Sequence, residues 1–184
     1  DSRAPCPGIR PMHFVRDTLP EAEDRREVTR VAVIGIGQSL RGDDAVGLEA
    51  VRQWQERFPE TAGRPEVRVE ASELPGLALL DLLSDARSAV LVDAVQSSHP
   101  PGTIHRLGED ELAAFASDAK SAHGWGVAET LKLGRQLRDS HPTVRVVGVT
   151  VENIETGAGM SAAVRDAIPK ICEAIEEEAR ALLK

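Results

Sequence analysis

"VAVIGIGQSLRGDDAVGLEAV", Val31–Val51, is the stretch that decides how this chain folds. Val31–Ile36 is an unbroken apolar run rich in β-branched side chains, the mark of a strand buried on both faces. A tight turn follows through Gly35 and Gly37. Val46, Leu48, Val51, Trp54 and Phe58 then recur at helical spacing. Strand, turn and helix in this order open a parallel α/β unit. The turn only half fits a dinucleotide-binding loop. That fingerprint needs a third glycine where this chain has Leu40, and Gly42 is followed by Asp43 and Asp44. Two carboxylates repel a pyrophosphate, and a helix N-terminus offsets only about 1 kcal/mol of that. No Gly-Lys-Ser/Thr follows, so the phosphate-loop pattern fails too. The aspartates suit a cation, or the cap of the helix beginning near Ala45.

The segments on either side extend the same pattern. Residues 1–30 carry several prolines and charges with little periodicity and are expected to be a partly disordered leader. Glu66–Ala71 alternates like a strand, and Leu77–Leu83 reads as a short apolar helix. Ser88–Val95 ("SAVLVDAV") is another buried strand. A shorter strand, Thr103–Leu107, follows the turn "HPPGT", and a short helix covers Glu109–Ala116. Gly126–Leu137 is helical, with Val127, Leu131, Leu133 and Leu137 on its apolar side. Val144–Val151 is the last strong strand. Ser161–Leu183 is a closing helix capped by Ser161, with Pro169 kinking or dividing it. The expected fold class is α/β: a three-layer sandwich whose twisted, mostly parallel sheet of about five strands carries helices on both faces. Residues 31–184 are expected to form a single domain.

At 184 residues the chain suits one core. Its 22 basic and 30 acidic residues give a net charge of -8, which argues against nucleic acid or an anionic membrane as partner. No stretch approaches the roughly 18–20 apolar residues that span a bilayer, and no signal-peptide core is visible at the start. Cys6 and Cys172 read as free thiols of a reducing compartment. There is no Gly-x-Ser-x-Gly elbow and no suggestive Cys/His pair, so nucleophilic hydrolysis lacks support.

Asp93 lies inside the apolar run "VLVDAV", near a strand's carboxyl end. A buried aspartate is costly unless paired, hydrogen-bonded or metal-bound. His123, in "KSAHGWG", stands just before a helix. Ligands of parallel α/β sheets sit beyond the carboxyl ends of the strands. Asp44, Asp93 and His123 each follow a buried strand or precede a helix, so one edge of the sheet is expected to gather them. Two carboxylates and an imidazole make an open site for a borderline divalent metal such as nickel or zinc. Three protein ligands leave positions for substrate or water. His13, His99, His105 and His141 compete; His99, in a proline-rich turn near Asp93, ranks second. Asp43 is assigned to capping the helix or bracing the loop, and Asp44 to the metal.

"GIGQSLRGDDAVG", "LVDAVQSSHPPGTIHRL", "SAHGWGVAETLKLG" and "GVTVENIETGAGMSAAVRDAIPKI" occur in this order. On these segments the chain from Val31 onward resembles the hydrogenase maturation proteases, endopeptidases that process the large subunit of nickel-iron hydrogenases. The resemblance implies a five-stranded sheet between helices, a cytoplasmic monomer and no organic cofactor. It implies that a C-terminal peptide is removed from the large-subunit precursor only after nickel insertion, so nickel arrives with the substrate. The family's nickel-interacting positions fall on Asp44, Asp93 and His123, which would be both catalytic and metal residues. Two other readings compete: a non-catalytic metal-binding accessory protein of hydrogenase assembly, and a small-molecule hydrolase with a tightly held metal. The chain departs from the family at Gln38, where Asn is usual, and at Ala45, where Gly is usual. "ASELPG", Ala71–Gly76, replaces an Asp-Gly-Gly-Thr-like motif in a loop linked to substrate choice.

Overall fold

A computed structural model describes residues 29–73, 76–118, 120–121, 126–137 and 141–184. Strand β1 runs Thr29–Gly37 and is buried from Val31 onward. It begins before Val31: Thr29 and Arg30, assigned above to the leader, already belong to the sheet, and Thr29 pairs with Ala86. A 3-10 turn (Gly42–Ala45) leads into α1 (Val46–Arg57), and a one-turn α2 (Pro59–Ala62) follows. Then come β2 (Val67–Glu73), α3 (Ala78–Leu83), β3 (Ala86–Gln96), β4 (Ile104–Gly108) and α4 (Glu109–Asp118). A two-residue β5 (Lys120–Ser121), α5 (Val127–Leu137), β6 (Thr143–Thr150) and α6 (Ala162–Leu183) complete the chain. The expected order holds, with the 3-10 turn, α2 and β5 added.

The sheet runs β2-β1-β3-β6-β4, with β5 attached to the end of β3. β2, β1, β3 and β6 are parallel, while β4 and β5 are antiparallel to their neighbours. The alternation of side chains sorts the two faces. Val31, Val33, Val90, Val92, Val147 and Val149 pack with Trp54 of α1 and Ile171 of α6. Ala32, Ile34, Ile36, Leu91 and Val146 pack with Leu79 of α3 and Leu131 of α5. Each large aliphatic buried in this way contributes about 1.5–3 kcal/mol. The chain turns from β1 to β2 on one side and returns past β1 to β3 on the other. The carboxyl ends of β1 and β3 therefore flank the point where an α/β sheet opens a crevice.

Helix α6 starts as expected: Val164 N–H donates to the Ser161 hydroxyl at 3.4 Å. Pro169 sits inside it without dividing it. Glu176 of α6 is buried and accepts from Trp54 Nε1 at 3.0 Å and from Thr61 Oγ1 at 2.7 Å, tying α6 to α1 and α2. Cys172 is a free, buried thiol donating to Ala50 O at 3.5 Å, while Cys6 lies outside the described residues. Among the described residues no helix is long and apolar enough to cross a membrane.

The glycines of the opening stretch allow α1 to touch the sheet. A Cβ on Gly35 would stand 2.5 Å from Gly47 O, and one on Gly37 would stand 2.1 Å from Asp44 O. A Cβ on Gly47 would meet Ile36 O at 2.2 Å and Val92 O at 2.3 Å. Neither carbonyl can yield without breaking the sheet. Gly47→Ala is expected to destabilise the protein by about 2–3 kcal/mol, read as a lower urea midpoint. An unchanged midpoint would disprove the close approach.

Candidate active site

The turn after β1 is fastened to the loop that follows β6. Gly42 has φ +55°, and a Cβ there would lie 2.5 Å from Asn153 O, so backbone conformation and space both require glycine. Gly42 N–H donates to Ala158 O at 3.2 Å, and Gly157 N–H donates back to Leu40 O at 2.8 Å. Arg41 Nε donates to Ile154 O at 3.3 Å.

Asp43 supplies the strongest of these ties. Its Oδ2 accepts from Glu152 N–H at 3.2 Å and Asn153 N–H at 3.1 Å, and its Oδ1 accepts from Ser161 N–H at 2.6 Å. Neither the 3-10 turn nor α1 has a side-chain cap. Of the two roles assigned to Asp43, capping is therefore ruled out and bracing is found. Its fully buried carboxylate is answered by three backbone donors, which fix residues 152–161 over the turn.

Asp44 is also fully buried, and Asp93 is 2% exposed. The 3-10 turn carrying Asp44 packs against β3, which carries Asp93. The contact follows from Gly47, one helical turn beyond Asp44, lying against the carbonyl of Val92 beside Asp93. Asp93 pairs in register with Gly148 and shares its face of β3 with Leu91, the face covered by α5. Two buried carboxylates thus stand at the carboxyl edge of β1 and β3, where burial makes a cation or strong donors necessary.

His123 lies outside the described residues. The chain on both sides of it is described: Ser121 of β5 pairs with Val95 of β3, and Val127 of α5 shares a core with Leu91. His13 lies outside the described residues as well. His141 stands at the opposite edge, before β6, where its Nδ1 pairs with Pro142 O at 3.0 Å. Among the described residues, no three His, Cys, Asp or Glu side chains group closely enough to hold a metal ion.

His99 and His105 form a separate polar chain over the end of β6. His105 Nε2 pairs with Thr150 Oγ1 at 2.8 Å, and Thr150 Oγ1 pairs with Ser97 Oγ at 2.8 Å. Ser97 Oγ also meets His99 Nδ1 at 3.4 Å, and the two imidazoles stack edge-on at 5.0 Å. His105 pairs with Gly148, which pairs with Asp93, so His105 occupies the row of Asp93 two strands away. Sequence spacing gave His105 no such place; only the antiparallel register of β4 brings it there.

Asp43→Ala is expected to cost about 3 kcal/mol and to speed amide exchange at 152, 153 and 161. Wild-type exchange there would refute the brace. Desolvation first, and the charge of His99 second, hold the His105 pKa below its usual 6.5. The folded state then binds fewer protons than the unfolded chain. This stability is present above the unfolded pKa of about 6.5 and is lost as pH falls through the lower folded value. His105→Gln is expected to flatten the fall in stability below pH of about 6.5, followed by urea titration across pH.

Comparison with known proteins agrees with this fold. A family model described as hydrogenase maturation protease matches residues 65–178. The hydrogenase expression/formation protein HupD of Rhodobacter capsulatus is 31% identical over 152 residues, 80% of this chain and 70% of that protein. The hydrogenase 2 maturation protease of Escherichia coli (strain K12) is 26% identical over 155 residues, 80% of this chain and 92% of that protein. The solved structure of the hydrogenase maturating endopeptidase HybD from E. coli superposes with a TM-score of 0.70 at 25% identity, covering 83% of this chain and 93% of that one. The chain therefore belongs to the hydrogenase maturation protease family.

Proposed function

We propose that the protein is an endopeptidase that removes the C-terminal peptide of a nickel-iron hydrogenase large-subunit precursor once nickel has been inserted. The observation that carries this reading is the pair of buried carboxylates, Asp44 and Asp93, at the crevice between β1 and β3 in a member of this family. Nickel is part of the substrate. Asp44, Asp93 and His123 bind it and so dock the scissile bond beside it. Hard carboxylate oxygens and one imidazole suit a divalent ion that brings its own ligands. Without the precursor's share of ligands, affinity for free nickel is weak. Nickel in that place would polarise the scissile carbonyl, and a carboxylate of the pair would take the proton of the attacking water.

Two features support a place for His123 in this set. β5 and α5, which flank residues 122–125, both stand against β3, and Asp93 faces the α5 side of the sheet. The brace by Asp43 keeps the turn that carries Asp44 from drifting when a large partner docks. The same reading has the enzyme acting as a cytoplasmic monomer, with no organic cofactor, nucleic acid or membrane involved.

The test is processing of a nickel-loaded large-subunit precursor, followed by the mass lost from it. Wild-type protein is expected to remove the peptide. Asp44→Asn, Asp93→Asn and His123→Ala are each expected to lose about 100-fold or more in rate, with His123→Ala keeping the wild-type melting temperature. Wild-type rates in His123→Ala would remove that residue from the site.

A further inference from the structure

Strand β2 is the outer strand at its end of the sheet, and none of its residues is fully buried. Beside it lies a cavity of about 690 Å³, within the usual range of ligand sites. One wall is β2, through Val69, Glu70 and Ala71, and another is α1, through Leu48. The cavity reaches Gly42 and Ala45, the residues on either side of Asp43-Asp44. Leu40, 72% exposed, adds an apolar side chain in the same turn. The groove is thus continuous with the turn that carries Asp44.

Three of the four charged residues that line the cavity, Glu49, Arg52 and Glu70, sit in ion pairs. Arg52 pairs with Glu49 at 2.6 Å and Glu56 at 2.5 Å, and Arg68 pairs with Glu70 at 3.1 Å. Arg165 donates to Met160 O at 2.6 Å. What remains to a ligand is mainly apolar surface, with Ser39 and Gln55 as uncharged polar groups, and the outer backbone edge of β2. That combination selects an extended polypeptide, whose amides add to a sheet edge while alternate side chains fill a trough.

We infer that this groove binds the C-terminal peptide of the precursor in extended form, as a strand added to the outer edge of β2. The inference rests on the proposed function and adds where the leaving segment lies. On that reading, polypeptide on the nickel side of the scissile bond is held with the metal at Asp44 and Asp93. Polypeptide on the other side is free to extend, and the groove begins where that side leaves Asp44. The occupant is a largely uncharged segment with small or apolar side chains at alternate positions.

Two measurements on the full-length protein with nickel-loaded precursor test this. Amides of Val67–Glu73 are expected to gain protection from hydrogen exchange with intact precursor but not with precursor already cleaved. Ala71→Trp, at an exposed position on the groove wall, is expected to raise KM about ten-fold while leaving kcat within about two-fold. Cleavage with unchanged β2 exchange and an unchanged KM in Ala71→Trp would overturn the groove and leave the proposed function standing. If the wild-type protein cleaves no precursor, the proposed function fails, and β2 exchange alone decides the groove: protection by intact precursor supports it, and none overturns it.

Discussion

At Gly35, Gly37 and Gly47 the backbones of β1, β3 and α1 meet with no room for a side chain between them. These three positions set the distance from α1 to the sheet, and hence the height of the turn that carries Asp44. A methyl group at any of them would have to displace a carbonyl of a strand, of the turn or of α1. In a dinucleotide-binding unit, glycines of this kind bring backbone amides to a phosphate. Here the third close approach has moved from the loop onto the helix, at Gly47, and the loop presents two carboxylates instead.

Adjacent aspartates at such a place would repel one another if both faced one point. The structure separates them. Asp43 turns its charge onto three amides of the loop after β6. Asp44 is fully buried in the turn that packs against β3, the strand of Asp93. Asp43 thereby braces the turn and fixes the loop beyond β6 against it. Ser161 joins the brace to the last helix: its N–H answers Asp43, and its hydroxyl caps α6.

The sheet and its covering helices were legible in the sequence because each buried strand is a run of Val, Ile, Leu and Ala that hardly fits elsewhere. Asp44 and Asp93 were legible as carboxylates at the carboxyl ends of such runs. Other features left no local trace. Two-residue β5 has no periodicity to show, and polar Thr29 and Arg30 concealed the true start of β1. Asp43 looked like a helix cap because its partners lie more than one hundred residues away in sequence. His105 joins the row of Asp93 through the register of β4 on β6, which spacing along the chain does not encode.

The claim on which the functional account rests is that Asp44 and Asp93 read nickel carried by the partner. It is tested most directly by giving the wild-type protein one large-subunit precursor in two matched forms, nickel-loaded and nickel-free, and measuring release of the C-terminal peptide. Release from the loaded form alone is the expected result. Equal release from both forms would contradict it, because buried carboxylates at this crevice would then serve peptide cleavage without reading a metal.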